Sequence, residues 1–312
     1  MSLHLETPLF ELMKATRDLK KPVFLKMECF QPTASFKIRG IGYLCEKSIR
    51  EGKSQLISSS GGNAGLAVAY AGRKLGVKTT VIVPDTTPKE VRDRIEQEGA
   101  IVQIHGSVWD EADAFARSLA DETQGAYISP FDHPDIWKGH ATLIDEIIQQ
   151  CPVTPDTIIL SVGGGGLFCG VMEGLTKNSL FDTSVIAVET TGAASLYSSA
   201  KAGKIVTLDA INSIAKSLGA KTIAEKAFEY ANSKKVRCVT VSDAQAVDSV
   251  MRFAHDQKVM VEPACGAALS IVYDYPDLLK TAKNVVVIVC GGFSTGVDEI
   301  NHWKALLDNN EL

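Results

Sequence analysis

Short runs of β-branched and aliphatic residues alternate with helical patterns along almost the whole chain, and this alternation limits the fold more than any other feature. The runs cover residues 22–27, 55–59, 79–83, 101–104, 157–162, 184–188, 236–241 and 284–289. Between them, apolar residues recur at helical spacing. Within 132–150 they are Ile136, Trp137, His140, Leu143, Ile144 and Ile147; within 243–257 they are Ala246, Val247, Val250 and Met251. Thr87 followed by Pro88 reads as a cap and a first helical residue, and Ser242 reads as the cap before Asp243. A short strand followed by a helix and then another strand makes a parallel pairing, so the pattern predicts an α/β fold. Open, twisted, mostly parallel sheets should be flanked by helices on both faces.

Two strand ends run into small, polar or glycine-rich turns ahead of a helix. One is Ser58-Ser59-Ser60-Gly61-Gly62-Asn63-Ala64-Gly65, and the other is Ser161-Val162-Gly163-Gly164-Gly165-Gly166-Leu167. Their placement in separate halves of the 312 residues suggests two α/β lobes. Ligand would be held at the carboxyl ends of strands. Pro130 and Pro134 punctuate the chain near the expected boundary.

Several functions are disfavoured. A net charge of −5 without a Lys/Arg cluster argues against nucleic-acid binding, which needs a basic face. The first residues lack a signal-like pattern, and the uncharged stretch 157–172 is broken by four glycines. That stretch is also shorter than the ~20 apolar residues of a membrane span. Seven cysteines, an odd number without a CxxC pair, suit a reduced compartment; the expectation is a cytoplasmic protein.

The four glycines at Gly163, Gly164, Gly165 and Gly166 leave backbone N–H groups bare at a helix N-terminus, where an anion such as phosphate is favoured. Close strand–helix packing would explain one or two glycines better than four. A dinucleotide fingerprint fails in both registers, because the third glycine falls on Phe168 or Cys169. A Walker-type loop fails too, since Lys47 stands where Gly52-Lys53-Ser54 would need a leading glycine. Lys37 lies between Phe36 and Ile38 at the start of a helical pattern. A lysine with a pKa of about 10.4 is neutral in roughly one of 2,500 molecules at pH 7, so a chemical role needs burial or an imine. Surface solvation is the bland alternative. Ser58–Asn63 precedes a second helix N-terminus and suits either a carboxylate or a simple turn. Cys290 ends an aliphatic run before Gly291-Gly292, where either a ligand contact or plain core packing is expected. His133 and His140 are seven apart and no HExxH occurs, so the histidines build no metal site; no G-x-S-x-G elbow occurs either. A phosphate loop with a lysine points to a cofactor that carries the hard chemistry.

Assembled, these segments resemble the fold-type-II pyridoxal-phosphate enzymes, most closely the serine/threonine dehydratases, also called L-serine ammonia-lyases. The resemblance rests on Thr7-Pro8-Leu9, Ser35-Phe36-Lys37-Ile38-Arg39-Gly40, Ser59 to Gly65, Pro130-Phe131-Asp132-His133-Pro134 and Trp137-Lys138-Gly139-His140. It continues through Ser161 to Leu167, Val261-Glu262-Pro263-Ala264-Cys265-Gly266 and Val289-Cys290-Gly291-Gly292. It implies a tryptophan-synthase-β-like architecture, with a large cofactor-binding domain of residues 1–37 and 130–312 and a small mobile domain of residues 38–129. It also implies a homodimer, a small amino-acid substrate, and a place in amino-acid catabolism or gluconeogenesis.

Carried over, the resemblance makes Lys37 the imine-forming and catalytic lysine. Phe36 would lie against the pyridine ring, Asn63 would bond its phenolic oxygen, and Cys290 would contact its nitrogen. Gly163, Gly164, Gly165, Gly166 and Leu167 would hold the phosphate. Ser60, Gly61, Asn63 and Ala64 would line the substrate carboxylate. A monovalent cation (K+) would be bound by the Glu189 side chain with carbonyls of Gly163, Ala193, Leu218 and Ala220. The implied reaction is β-elimination from L-serine or L-threonine, in which Lys37 takes the Cα proton and the cofactor phosphate protonates the leaving hydroxyl. Aminoacrylate then hydrolyses to a 2-oxo acid and ammonia.

A racemase is the neighbouring alternative, but related racemases carry a serine where this chain has Gly61, so little racemisation is expected. Alanine is common there among dehydratases, and glycine would enlarge the pocket slightly. Cysteine-synthase-like β-replacement remains within the fold. The end at Leu312 makes feedback control by isoleucine unexpected. Outside the class, a non-catalytic phosphometabolite-binding α/β protein would explain the glycines and leave Lys37 and Cys290 without a role.

Overall fold

The eight runs expected as strands are all strands, with ends shifted by at most two residues. Among the described residues of this computed structural model (2–309, 311 and 312), ten strands follow in chain order. They are β1 Leu9–Glu11, β2 Val23–Lys26, β3 Gln55–Ser58, β4 Lys78–Val83 and β5 Ile101–Ile104, then β6 Ala126–Tyr127, β7 Thr157–Ser161, β8 Ser184–Thr190, β9 Val236–Val241 and β10 Val285–Ile288. The two strands absent from the sequence reading, β1 and β6, have three and two residues, too few to show alternation.

The chain separates into two compact units. One comprises Met1–Leu5 and Gln31–His140, the other Glu6–Phe30 and Ala141–Leu312. Residues 38–129, expected as the small domain, fall wholly within the first unit.

In the first unit the four-stranded sheet runs β5-β4-β3-β6 with every pairing parallel. The period-two alternation of β4 divides its side chains between two cores. Ile82 packs with Ile57 of β3 and with Ala112, Ala116 and Ala120 of the helix Trp109–Glu122. Val81 and Val83 pack on the other face with Ala69, Ile95 and Ala100. Small alanines let that helix pack directly on the sheet. The expected start at Pro88 is displaced by one residue: the helix is Lys89–Gln97, and Pro88 is its cap with extended ψ of 144°.

In the second unit the six-stranded sheet runs β1-β2-β10-β7-β8-β9, parallel except for β1 against β2. All residues of β7 and β10 are buried, as expected for strands covered on both faces. Ser242 does cap the helix Asp243–Gln257: its Oγ accepts the Gln245 N–H at 3.1 Å, while Gln245 Oε1 accepts the Ser242 N–H at 2.9 Å. Parallel register brings the carboxyl ends of β7, β10 and β8 side by side. No helix among the described residues is long and apolar enough to cross a membrane.

Candidate active site

Lys37 is the first residue of the helix Lys37–Arg50, which follows a turn in which Ala34 takes φ of 52°. That left-handed conformation is costly for a residue with a Cβ and persists only where surrounding structure enforces it. Beside it, the hydroxyls of Thr33 and Ser35 are buried without a hydrogen-bond partner. The Lys37 side chain is half-buried, its Nζ donates to the Pro130 carbonyl at 2.5 Å, and it lies 5.3 Å from the centroid of the Phe36 ring.

The helix is seated by two glycines. A Cβ at Gly40 would stand 2.4 Å from the Ile136 carbonyl oxygen, and one at Gly139 would stand 2.4 Å from that of Arg39. This close approach lets the Gly40 N–H reach His140 Nδ1 at 3.2 Å. The His140 ring is fully buried, with its centroid 4.9 Å from that of Phe36. Burial first, then the positive charges of Lys37 and Arg39, hold its pKa well below the usual imidazole range. The ring is therefore neutral, with the proton on Nε2, a buried atom without a partner. The sequence places His140 on a helix face and within the Trp137–His140 segment, and neither feature puts it beside Phe36.

The turn after β3 leads into the helix Asn63–Leu75, whose first amides have no carbonyl behind them and suit a carboxylate. Ser60, Gly61, Asn63 and Ala64 are thus brought together by sequence adjacency. Ser60 Oγ accepts the Gly62 N–H at 3.3 Å, and a Cβ at Gly65 would lie 1.7 Å from the Ser60 carbonyl oxygen. Only glycine at position 65 lets the helix start so near the turn.

In the second unit, Gly165 caps the helix Gly166–Lys177 with φ of 97°. A Cβ there would meet Ala227 Cβ at 2.5 Å, and one at Gly163 would meet Leu218 Cα and the Ser217 carbonyl oxygen at 3.1 Å. Gly164 contributes its carbonyl to the Ala224 N–H at 3.1 Å. The glycines are therefore enclosed on one side by residues 217–227, while Leu167, 4% exposed, is the second residue of the helix. Cys290 is buried after β10, with Sγ 3.4 Å from Ser161 Oγ and 3.5 Å from Cys265 Sγ. Burial, together with Cys290 and Glu262 nearby, raises the Cys265 pKa well above the normal thiol value. Cys265 in turn bonds the Gly291 carbonyl at 2.9 Å and fixes the turn after Cys290.

Glu189 ends up fully buried, its two carboxylate oxygens accepting the N–H groups of Leu196 and Tyr197 at 2.8 and 2.7 Å. Burial raises its pKa to about 8 although those amides pull the other way. Of the other residues expected around a cation, Leu218 lies against Gly163, Ala193 is buried, and Ala220 donates its N–H to the Leu218 carbonyl at 2.8 Å.

A primary amine of this kind suits an aldehyde, and bare amides on glycines suit a phosphate. In the first unit the half-buried amine begins the helix Lys37–Arg50; in the second, bare amides lie on glycines where a Cβ would strike Leu218 or Ala227, and the Cys290 thiol follows β10.

Known proteins resemble this chain over nearly its whole length. Residues 2–291 match the family model described as "Pyridoxal-phosphate dependent enzyme". The mouse protein named L-serine dehydratase/L-threonine deaminase is 42% identical, covering 100% of this chain and 98% of its own. A human serine dehydratase-like protein is 44% identical over 97% of this chain and 95% of its own. The crystal structure of an L-serine ammonia-lyase from the fungus Rhizomucor miehei superposes with a TM-score of 0.92 at 38% identity, covering 98% of this chain and 99% of that one.

Proposed function

The chain belongs to the pyridoxal-phosphate dependent enzymes, and on that premise we propose that it is an L-serine/L-threonine ammonia-lyase, which converts these amino acids to 2-oxo acids and ammonia. The reading is carried by the lysine that opens the helix Lys37–Arg50 together with full-length similarity to serine dehydratases. Pyridoxal phosphate, when bound, draws electron density away from the substrate Cα and so makes its proton removable.

The residues of this chain do the rest. Lys37 would bind the aldehyde carbon and, once displaced by substrate, take the Cα proton; its bond to the Pro130 carbonyl stations the amine. Phe36 and Asn63 would line the ring. The amides of Gly163, Gly164, Gly165, Gly166 and Leu167 would carry the phosphate. Ser60, Gly61, Asn63 and Ala64 would receive the substrate carboxylate. Cys290 would contact the ring nitrogen through its thiol. A monovalent cation at Glu189, Gly163, Ala193, Leu218 and Ala220 belongs to the same reading, as do closure of residues 38–129 to keep water out, a homodimer and a cytoplasmic location.

The test is direct. Purified protein should show an imine absorbance that borohydride bleaches, with the reduced label on Lys37 in the peptide map. It should release pyruvate from L-serine or 2-oxobutyrate from L-threonine, and Lys37→Ala should lose both properties. Label on another lysine, or no 2-oxo acid from either substrate, would sink the assignment.

A further inference from the structure

The turn that would receive the substrate carboxylate is tied from behind to an acidic residue that the chemistry above does not use. Asp113, on the helix Trp109–Glu122, is 8% exposed. Its Oδ1 accepts the Ser59 hydroxyl at 2.5 Å and also the Tyr127 hydroxyl, and its Oδ2 accepts the Arg117 Nε–H at 2.8 Å. The Arg117 guanidinium stacks 4.1 Å from the centroid of the Tyr127 ring, closing the cluster from outside. Burial pushes the Asp113 carboxyl up, but the bonds from Ser59, Tyr127 and Arg117 outweigh it and leave the group below its ordinary value. Donors from the end of β3, from β6 and from one helix thus converge on a single charged acceptor. Charge-assisted bonds of this kind are the stronger ones.

We propose that Asp113 is a positioning residue for the substrate carboxylate: by holding the fully buried Ser59 hydroxyl, it fixes the face on which Ser60 and the amides of Asn63 and Ala64 are presented. Ser59 and Ser60 follow β3 directly and lead into the helix Asn63–Leu75. Engaging the Ser59 hydroxyl on Asp113 therefore restrains the backbone immediately before Ser60. The Gly62 N–H on Ser60 Oγ and the Ser60 carbonyl against Gly65 then leave the turn little freedom. A ligand contact kept in both ground and transition states contributes to binding rather than to turnover. The inference rests on the proposed function for the identity of its ligand, but not for the rigidity of the turn.

Two variants test it in the pyridoxal-phosphate-loaded enzyme, Ser59→Ala and Asp113→Asn, with their double. Each should raise KM for L-serine about ten-fold and leave kcat within about two-fold, and the double should be no worse than the worse single. Hydrogen exchange of the amides in 59–64 should quicken about ten-fold while that of the helix Lys37–Arg50 stays unchanged. Borohydride should still label Lys37 in all three. Unchanged KM and exchange in Ser59→Ala, or KM and kcat both worsening in step with a lowered melting temperature, would overturn the proposal. Should Asp113→Asn not fold, Ser59→Ala decides alone, because it removes one hydroxyl and leaves Tyr127 and Arg117 on the carboxylate. Wild-type protein inactive towards every amino acid would sink the proposed function instead, and the exchange measurement would still decide whether Asp113 rigidifies the turn.

Discussion

Thr87 fills the space that a side chain at position 61 would use: a Cβ on Gly61 would stand 2.7 Å from Thr87 Cγ2 and 3.0 Å from its Oγ1. Glycine at this position is therefore matched by a β-branched neighbour, and the room it leaves is already taken. Gly61→Ala should cost about 1–3 kcal/mol, the usual range for overpacking. Thr87→Ser deletes Cγ2 and should recover part of that cost in the double variant. Denaturant midpoints in a double-mutant cycle measure the coupling, and additive costs would contradict it. Gly61→Ser, with its hydroxyl crowded by Thr87, should form no D-serine above background in a chiral assay.

The tetraglycine turn should tolerate no side chain at Gly165. Alanine there would need φ of 97° and would meet Ala227 at 2.5 Å. Strained backbone of this kind costs of order 1–3 kcal/mol. Gly165→Ala should lower the melting temperature and weaken pyridoxal phosphate binding to the resolved apoprotein at least ten-fold by fluorescence titration. At Gly163 the nearest contacts are 3.1 Å, so Gly163→Ala should be milder on both counts.

His140 gives the fold a dependence on mild acid. Its neutral ring accepts the Gly40 N–H, and burial with Lys37 nearby keeps it unprotonated below the usual pKa. The unfolded chain binds a proton at this position near pH 6.5, so below that pH the unfolded state takes up more protons than the folded one. Stability contributed here is complete above about 6.5 and is lost as pH falls towards the lowered value, by at most about 1.4 kcal/mol per unit. His140→Gln, whose carbonyl oxygen can still accept from Gly40, should show a flatter stability profile between pH 6.5 and 5. Parallel profiles for the two proteins would count against a neutral histidine.

Cys290 offers a test of how the ring nitrogen is treated. Cys290→Asp would place a carboxylate among Ser161 and Cys265, where it would favour a protonated ring nitrogen. The expected outcome is slower release of 2-oxo acid and a larger share of side reactions such as transamination, read as pyridoxamine phosphate formed per turnover. Cys290→Ser should keep the partitioning of the wild type. Equal partitioning in the aspartate and serine variants would show that the group after β10 does not tune the reaction.

How much was legible in the sequence follows from distance along the chain. The eight longer strands and the Ser242 cap were readable because alternation and capping are local, repeated over four or more residues. β1 and β6 were not, since two or three residues carry no period and their pairing comes from the sheet. The displaced start at Lys89 shows a local rule overruled: Pro88 fixes φ but left ψ extended, so it became the cap. At the site, the two glycine turns and Lys37 were visible as contiguous motifs. The partners of those motifs were not. Thr87 opposite Gly61, Cys265 beside Cys290 and Asp113 behind Ser59 are separated from them by 25 to 54 residues.

The sequence by itself determined the alternating architecture and the family, because both are written in short stretches whose backbone chemistry is nearly independent of the rest. Tertiary structure alone decided that His140 is neutral, that Glu189 is buried on the amides of Leu196 and Tyr197, and that Asp113 holds the Ser59 turn. Burial and hydrogen-bond partners set those properties, and both exist only once remote segments have packed together.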